Sequence, residues 1–125
     1  MAKWNFDLVA PRLTFNHYQE DAATTAIYPD ARALEYLSLG LVAEAGEVAG
    51  KVAKYYRKDG ELPKEDLIDE IGDVLWFISE LARYLETDLS VVADKNRKKL
   101  ASRKERGVLK GSGDTRWQQT QERRW

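Results

Sequence analysis

Apolar residues recur at helical spacing through four segments of the chain. Phe15, Tyr18, Ala22, Ala23 and Ala26 follow Thr14, whose hydroxyl can accept from a free amide of a first turn. This predicts a first helix from Thr14 to about Thr25, ended by Tyr28-Pro29-Asp30. A long second helix is predicted from about Ala31 to Arg57, stopped by the turn residues Asp59-Gly60 and Pro63. A third covers about Lys64 to Leu85. After Glu86-Thr87-Asp88 a fourth runs from about Ser90 to Glu105, closed by Gly107. The expected fold is all-α, a four-helix bundle-like domain over residues 14–106. An arm over residues 1–13, with Trp4, Phe6 and Leu8, precedes it, and a basic tail over residues 107–125, with Arg116, Trp117 and Trp125, follows.

Acids interrupt the two longest apolar stripes at matching places. At about 100° per residue, Leu37, Leu41, Val48, Val52 and Tyr55 form the stripe of the second helix, with Glu44 inside it and Glu47 on its edge. Leu67, Val74, Phe77, Ile78, Leu81 and Leu85 form the stripe of the third, with Glu70 inside and Asp73 on the edge. Residues three apart are neighbours on a helix face, so each tetrad, Glu44-Ala45-Gly46-Glu47 and Glu70-Ile71-Gly72-Asp73, presents two carboxylates in one direction. One such pair is ordinarily a solvated face. Two pairs set inside apolar stripes put four negative charges on one seam, which needs a cation. Gly46 and Gly72 occupy the same place in each tetrad, and a close backbone approach is expected there.

The donor types choose the metal. Carboxylates without cysteine or histidine suit Mg²⁺, with Mn²⁺ as a substitute. A di-iron bundle needs Glu-x-x-His units, and the single histidine, His17, lies outside both tetrads. Lys51 and Lys54 lie beyond Glu47, and Asn96, Lys99 and Arg103 share one face of the fourth helix. These are candidate phosphate contacts. Asn96 stands out, because asparagine is a poor residue for a helix interior and its amide can bond a phosphate or a carboxylate.

Charge and composition remove other classes. With 20 basic and 21 acidic side chains and a formal net charge of -1, no global field exists for stable nucleic-acid binding or for anionic membranes. The chain has no cysteine, hence no disulfide and no thiolate chemistry. It has no apolar run of membrane-spanning length, and Met1 to Asp7 lacks the apolar core of a signal peptide. A cytoplasmic location is expected. Opposite the apolar stripe of the second helix lie Ala43, Gly46, Gly50 and Ala53, a strip of small residues that admits a second helix from another subunit or from the same chain.

From about Phe15 to Arg116 the chain resembles the MazG-like all-α nucleoside triphosphate pyrophosphohydrolases. The resemblance rests on Glu44-x-x-Glu47, then after 22 residues Glu70-x-x-Asp73, then Asn96-Arg97-Lys98-Lys99. It implies that Glu44, Glu47, Glu70 and Asp73 bind Mg²⁺, that Asn96, Lys99 and Lys54 contact phosphate, and that water attacks the α-phosphorus of a nucleoside triphosphate. The implied products are a nucleoside monophosphate and pyrophosphate. Glu47, at the edge of its stripe, is the first choice for the residue that activates the water. Phe77 lies where similar enzymes place an aromatic near the nucleobase, with Trp76, Tyr28 and Tyr18 as further stacking partners. The family's bundles assemble as dimers or tetramers, so a homodimer or homotetramer is implied. The competing expectation is a sensor that holds Mg-nucleotide or an alarmone without hydrolysing it.

Overall fold

A computed structural model of the chain describes residues 13–58 and 60–109. Residues 1–12 of the expected arm and residues 110–125 of the expected tail lie outside the described residues. The rest is helical, with no strand among the described residues: α1 (Phe15–Ala23), α2 (Ala33–Tyr56), α3 (Lys64–Tyr84) and α4 (Leu89–Glu105). A 3-10 turn at Asp30–Arg32 leads into α2. The chain divides into two compact units, one reaching to Val92 and one starting at Ala93.

Local chemistry explains the ends. Thr14 caps α1, its Oγ1 accepting from the His17 amide at 3.1 Å. Beyond α3, Glu86 adopts φ 54°, with its amide bonded to Arg83 O and the Thr87 amide to Ala82 O. Gly107, at φ 67°, ends α4 the same way, through Gly107 N to Lys104 O and Val108 N to Arg103 O. Both are Schellman closures, the second using the residue that tolerates positive φ best. The free amides at the start of α4 are satisfied from α1. Leu89 N donates to Gln19 Oε1 at 2.9 Å and Ser90 N to Asn16 Oδ1 at 3.2 Å. Gln19 Nε2 donates in turn to Thr87 O at 3.0 Å.

In the first unit α3 is the shared element, packing against both α1 and α2. Its contacts with α2 run antiparallel in one register. Lys51 pairs with Asp66, Glu44 meets Asp73, and Gly40 meets Phe77. Each step back along α2 matches an equal step forward along α3. Phe77, which meets Gly40 across this seam, is buried, as are Leu37 and Ala33 on α2, Ala22, Ala82 and Leu89.

One buried charge is tied into this packing. Glu80 is 0% exposed. It accepts from Arg83 Nη2 at 2.6 Å and Arg83 Nε at 3.1 Å, and from the Tyr28 hydroxyl at 2.5 Å. Arg83 Nη2 also donates to the Tyr28 oxygen at 2.9 Å. The Arg83 guanidinium is held above its usual value, chiefly by its bond to Glu80. The triad fastens the α1–α2 connection to α3. Arg83→Met strips Glu80 of its countercharge, and we expect a loss of about 2–3 kcal/mol in chemical denaturation. An unchanged midpoint would contradict the role assigned to the triad.

Candidate metal centre

Facing helices bring the acids together. Glu44 projects from α2 and Glu70 and Asp73 from α3, and one carboxylate oxygen from each lies within 4.8 Å of the others. Glu44 and Glu70 are half-buried and Asp73 is exposed, so the trio opens toward solvent on one side. Its electrostatics are those of a site short of positive charge. The Glu44 carboxyl is raised above its ordinary value, first by partial burial and then by the charges of Asp73, Glu70 and Glu47.

Lys51 supplies part of the missing charge. Its Nζ lies 3.2 Å from Glu70 Oε1 and 3.8 Å from Asp66 Oδ2. The bond to Glu70 is the main reason its ammonium is held above its usual value, with the charges of Glu70, Asp66 and Glu47 adding to it. One cation against three converging carboxylates leaves net negative charge. An all-oxygen donor set with an open side fits a hard divalent ion that keeps water or phosphate oxygens in its remaining positions.

The other expected site residues divide by position. Glu47 is exposed on α2 and stands outside the converging trio, although its charge reaches Glu44 and Lys51. Lys54 is exposed near the end of α2. Asn96 and Lys99 are exposed on the part of α4 that belongs to the second unit. Phe77 is 9% exposed, its ring lying against the Gly40 backbone. Trp76 is half-buried and donates its Nε1–H to Thr25 Oγ1 at 2.8 Å.

Structure adds residues that helical spacing did not single out. Tyr36 stacks on Tyr28 with centroids 5.3 Å apart and tilts against Phe77 at 5.8 Å. It precedes Glu44 by two turns on the same side of α2. Tyr18, named from its sequence position, lines a cleft of about 600 Å³ with Leu13, Phe15 and Leu75. Its hydroxyl is pushed up by burial and then by the charges of Asp73 and Glu80. Among the described residues of one chain, the close approach expected at Gly46 and Gly72 is not made: a Cβ at either position would meet nothing within 4 Å. It is made at Gly40.

Comparison with known proteins agrees with this geometry. The profile of the MazG nucleotide pyrophosphohydrolase domain matches residues 32–108, a span that holds α2, α3, α4 and all three converging carboxylates. The chain belongs to this family. It is 50% identical over 109 residues to the Gene 37 protein of Mycobacterium phage L5, an alignment covering 79% of this chain and 96% of that protein. No solved structure matches. No described helix is long and apolar enough to cross a membrane.

The raised Glu44 carboxyl has a measurable consequence. In chelator-treated protein the fold penalises the charged form, and glutamine mimics the neutral one. Glu44 therefore costs nothing at acid pH and becomes unfavourable as pH rises through the carboxylate range. The melting temperature of Glu44→Gln relative to wild type should rise over that range without metal, and a hard divalent ion such as Mg²⁺, if it occupies the trio, should reverse the order. A gap independent of both pH and Mg²⁺ would contradict the cluster's electrostatics.

Proposed function

We propose that the protein hydrolyses nucleoside triphosphates, deoxynucleotides among them, at the α-phosphorus, releasing a nucleoside monophosphate and pyrophosphate in a Mg²⁺-dependent reaction. The observation that carries this reading is the convergence of Glu44, Glu70 and Asp73 within 4.8 Å in a chain of the MazG family. Glu44, Glu70 and Asp73 would hold the Mg²⁺, which when bound would supply positive charge for the phosphate oxygens and make water a better nucleophile. The protein's own groups do the rest. Glu47, exposed and one turn from Glu44, takes the proton of the attacking water. Lys54, Asn96 and Lys99 balance phosphate charge. Tyr18, Tyr36 and Trp76 offer aromatic surface to the base, and Phe77, buried against Gly40, is assigned to packing.

Assembly completes the reading. Leu39 and Val42 are 71% and 69% exposed, and they flank the exposed small residues Ala43, Gly46, Gly50 and Ala53 on α2. A built Cβ at Gly46 or Gly50 meets nothing within 4 Å. An apolar face with room for close approach suits a second copy of the chain, giving a homodimer or homotetramer. In sedimentation equilibrium, wild type should be oligomeric and the double variant Val42→Glu/Gly50→Glu monomeric. A monomeric wild type would contradict the assembly.

Product analysis tests the chemistry. With a panel of ribo- and deoxyribonucleoside triphosphates, Mg²⁺ should release pyrophosphate and monophosphate, and EDTA should abolish turnover. Asp73→Asn and Glu47→Gln should each lower kcat/KM on the order of 10²-fold. Orthophosphate and a diphosphate as products would refute α-phosphorus attack. Tight Mg-nucleotide binding without any product would favour the sensor.

A further inference from the structure

Gly40 lies one turn before Glu44 on α2, and Phe77 one turn after Asp73 on α3. A Cβ on Gly40 would overlap Cε1 and Cζ of the Phe77 ring and come within 2.8 Å of Cδ1. The ring has little freedom to turn aside. Trp76 meets it edge-on at 4.9 Å and Tyr36 packs at 5.8 Å, while Trp76 is itself bonded to Thr25. Gly46, Gly50 and Gly72 show no such contact. A mid-helix glycine costs up to about 1 kcal/mol relative to alanine, and among the described glycines only Gly40 turns the missing Cβ into an inter-helix contact.

That contact sits beside the one part of the site that depends on two helices. Glu70 and Asp73 share α3, so their spacing is set by a single helix. Glu44 reaches them only through the α2–α3 separation and register. A methyl at residue 40 would lie 2.1 Å from the nearest ring carbon, so restoring carbon–carbon contact distance requires a displacement of about 1.5 Å. Metal–ligand distances tolerate about 0.2 Å.

We propose that Gly40 and Phe77 are a paired positioning device for the metal centre: the ring, seated on bare backbone, sets the helix separation and register that bring Glu44 to Glu70 and Asp73. Neither residue touches the metal or the substrate. The inference rests on the Mg²⁺ reading above and assigns Phe77 a place in the site other than base stacking.

Mn²⁺ binding to the full, metal-stripped chain tests it, followed by calorimetry and by the loss of the free-ion paramagnetic resonance signal. Four proteins are compared: wild type, Gly40→Ala, Phe77→Leu and the double variant. Each single change should weaken Mn²⁺ binding about tenfold, the lower end of the effect of disturbing a ligand's support, with helical circular dichroism retained. The double variant, in which the new methyl fills space vacated by the ring, should recover most of the loss. A merely structural pair would lower the melting temperature and leave the folded protein's Mn²⁺ affinity unchanged, which overturns the proposal. So does a double variant as weak as the worse single one. Should Gly40→Ala fail to fold, recovery of both folding and affinity in the double variant supports the pairing, and its failure to recover overturns it. Wild type that takes up no Mn²⁺, or takes it up undiminished after Asp73→Asn, overturns the metal reading and this inference with it. Wild-type binding that Gly40→Ala leaves intact overturns this inference alone.

Discussion

Three carboxylates repel one another across the seam between α2 and α3, and the packing of that seam holds them together. Glu44 approaches Glu70 and Asp73 because the antiparallel register runs unbroken from Lys51–Asp66 at one end to Gly40–Phe77 at the other. Phe77 is buried against Gly40 in this register, and exposing such a side chain by a slip would cost roughly 1.5–3 kcal/mol. The fold therefore stores an electrostatic cost of the kind that a bound divalent cation would relieve.

The remaining elements hold α3 in place for this purpose. α1 donates two side-chain acceptors to the start of α4 and packs on α3. The segment joining α1 to α2 is pinned to α3 by Tyr28, Glu80 and Arg83. A buried carboxylate is a poor source of net stability, because its desolvation offsets much of the Coulombic gain. It does specify geometry, since the hydroxyl and guanidinium must both arrive to satisfy it. The Tyr28–Tyr36 stack and the edge-on Trp76–Phe77 contact extend the same packing toward the carboxylates.

Much of this was legible from residue spacing. Helix limits fall within a few residues of those read from periodicity and turn residues, because the Thr14 cap, the break at Glu86 and the Gly107 closure are local and need no partner. The convergence of Glu44, Glu70 and Asp73 was legible too, since Glu44 and Glu70 lie inside apolar stripes that face each other and Asp73 lies at the edge of the same seam. The stripes also put Glu47 at the seam's edge, and the chain leaves it exposed outside the trio. Long-range pairings were not legible. Glu80 looks in sequence like any helix-surface acid, and only its partners 52 residues away and one turn away show why it is buried. Gln19 and Asn16 as caps for another helix carry no sequence mark. The helix glycines are the clearest case. Repetition within the tetrads pointed to Gly46 and Gly72, whereas the glycine required by a facing side chain is Gly40, which no repeat marks.

In the proposed reaction the α2–α3 carboxylates direct water to the α-phosphorus of a nucleoside triphosphate. Turnover in H₂¹⁸O with Mg²⁺, followed by mass spectrometry of both products, tests it most directly. Attack at that phosphorus puts one ¹⁸O atom in the nucleoside monophosphate and none in the pyrophosphate, with no labelled product expected from Asp73→Asn over the same interval. Label in the pyrophosphate, or label in the monophosphate formed equally well by Asp73→Asn, would contradict it.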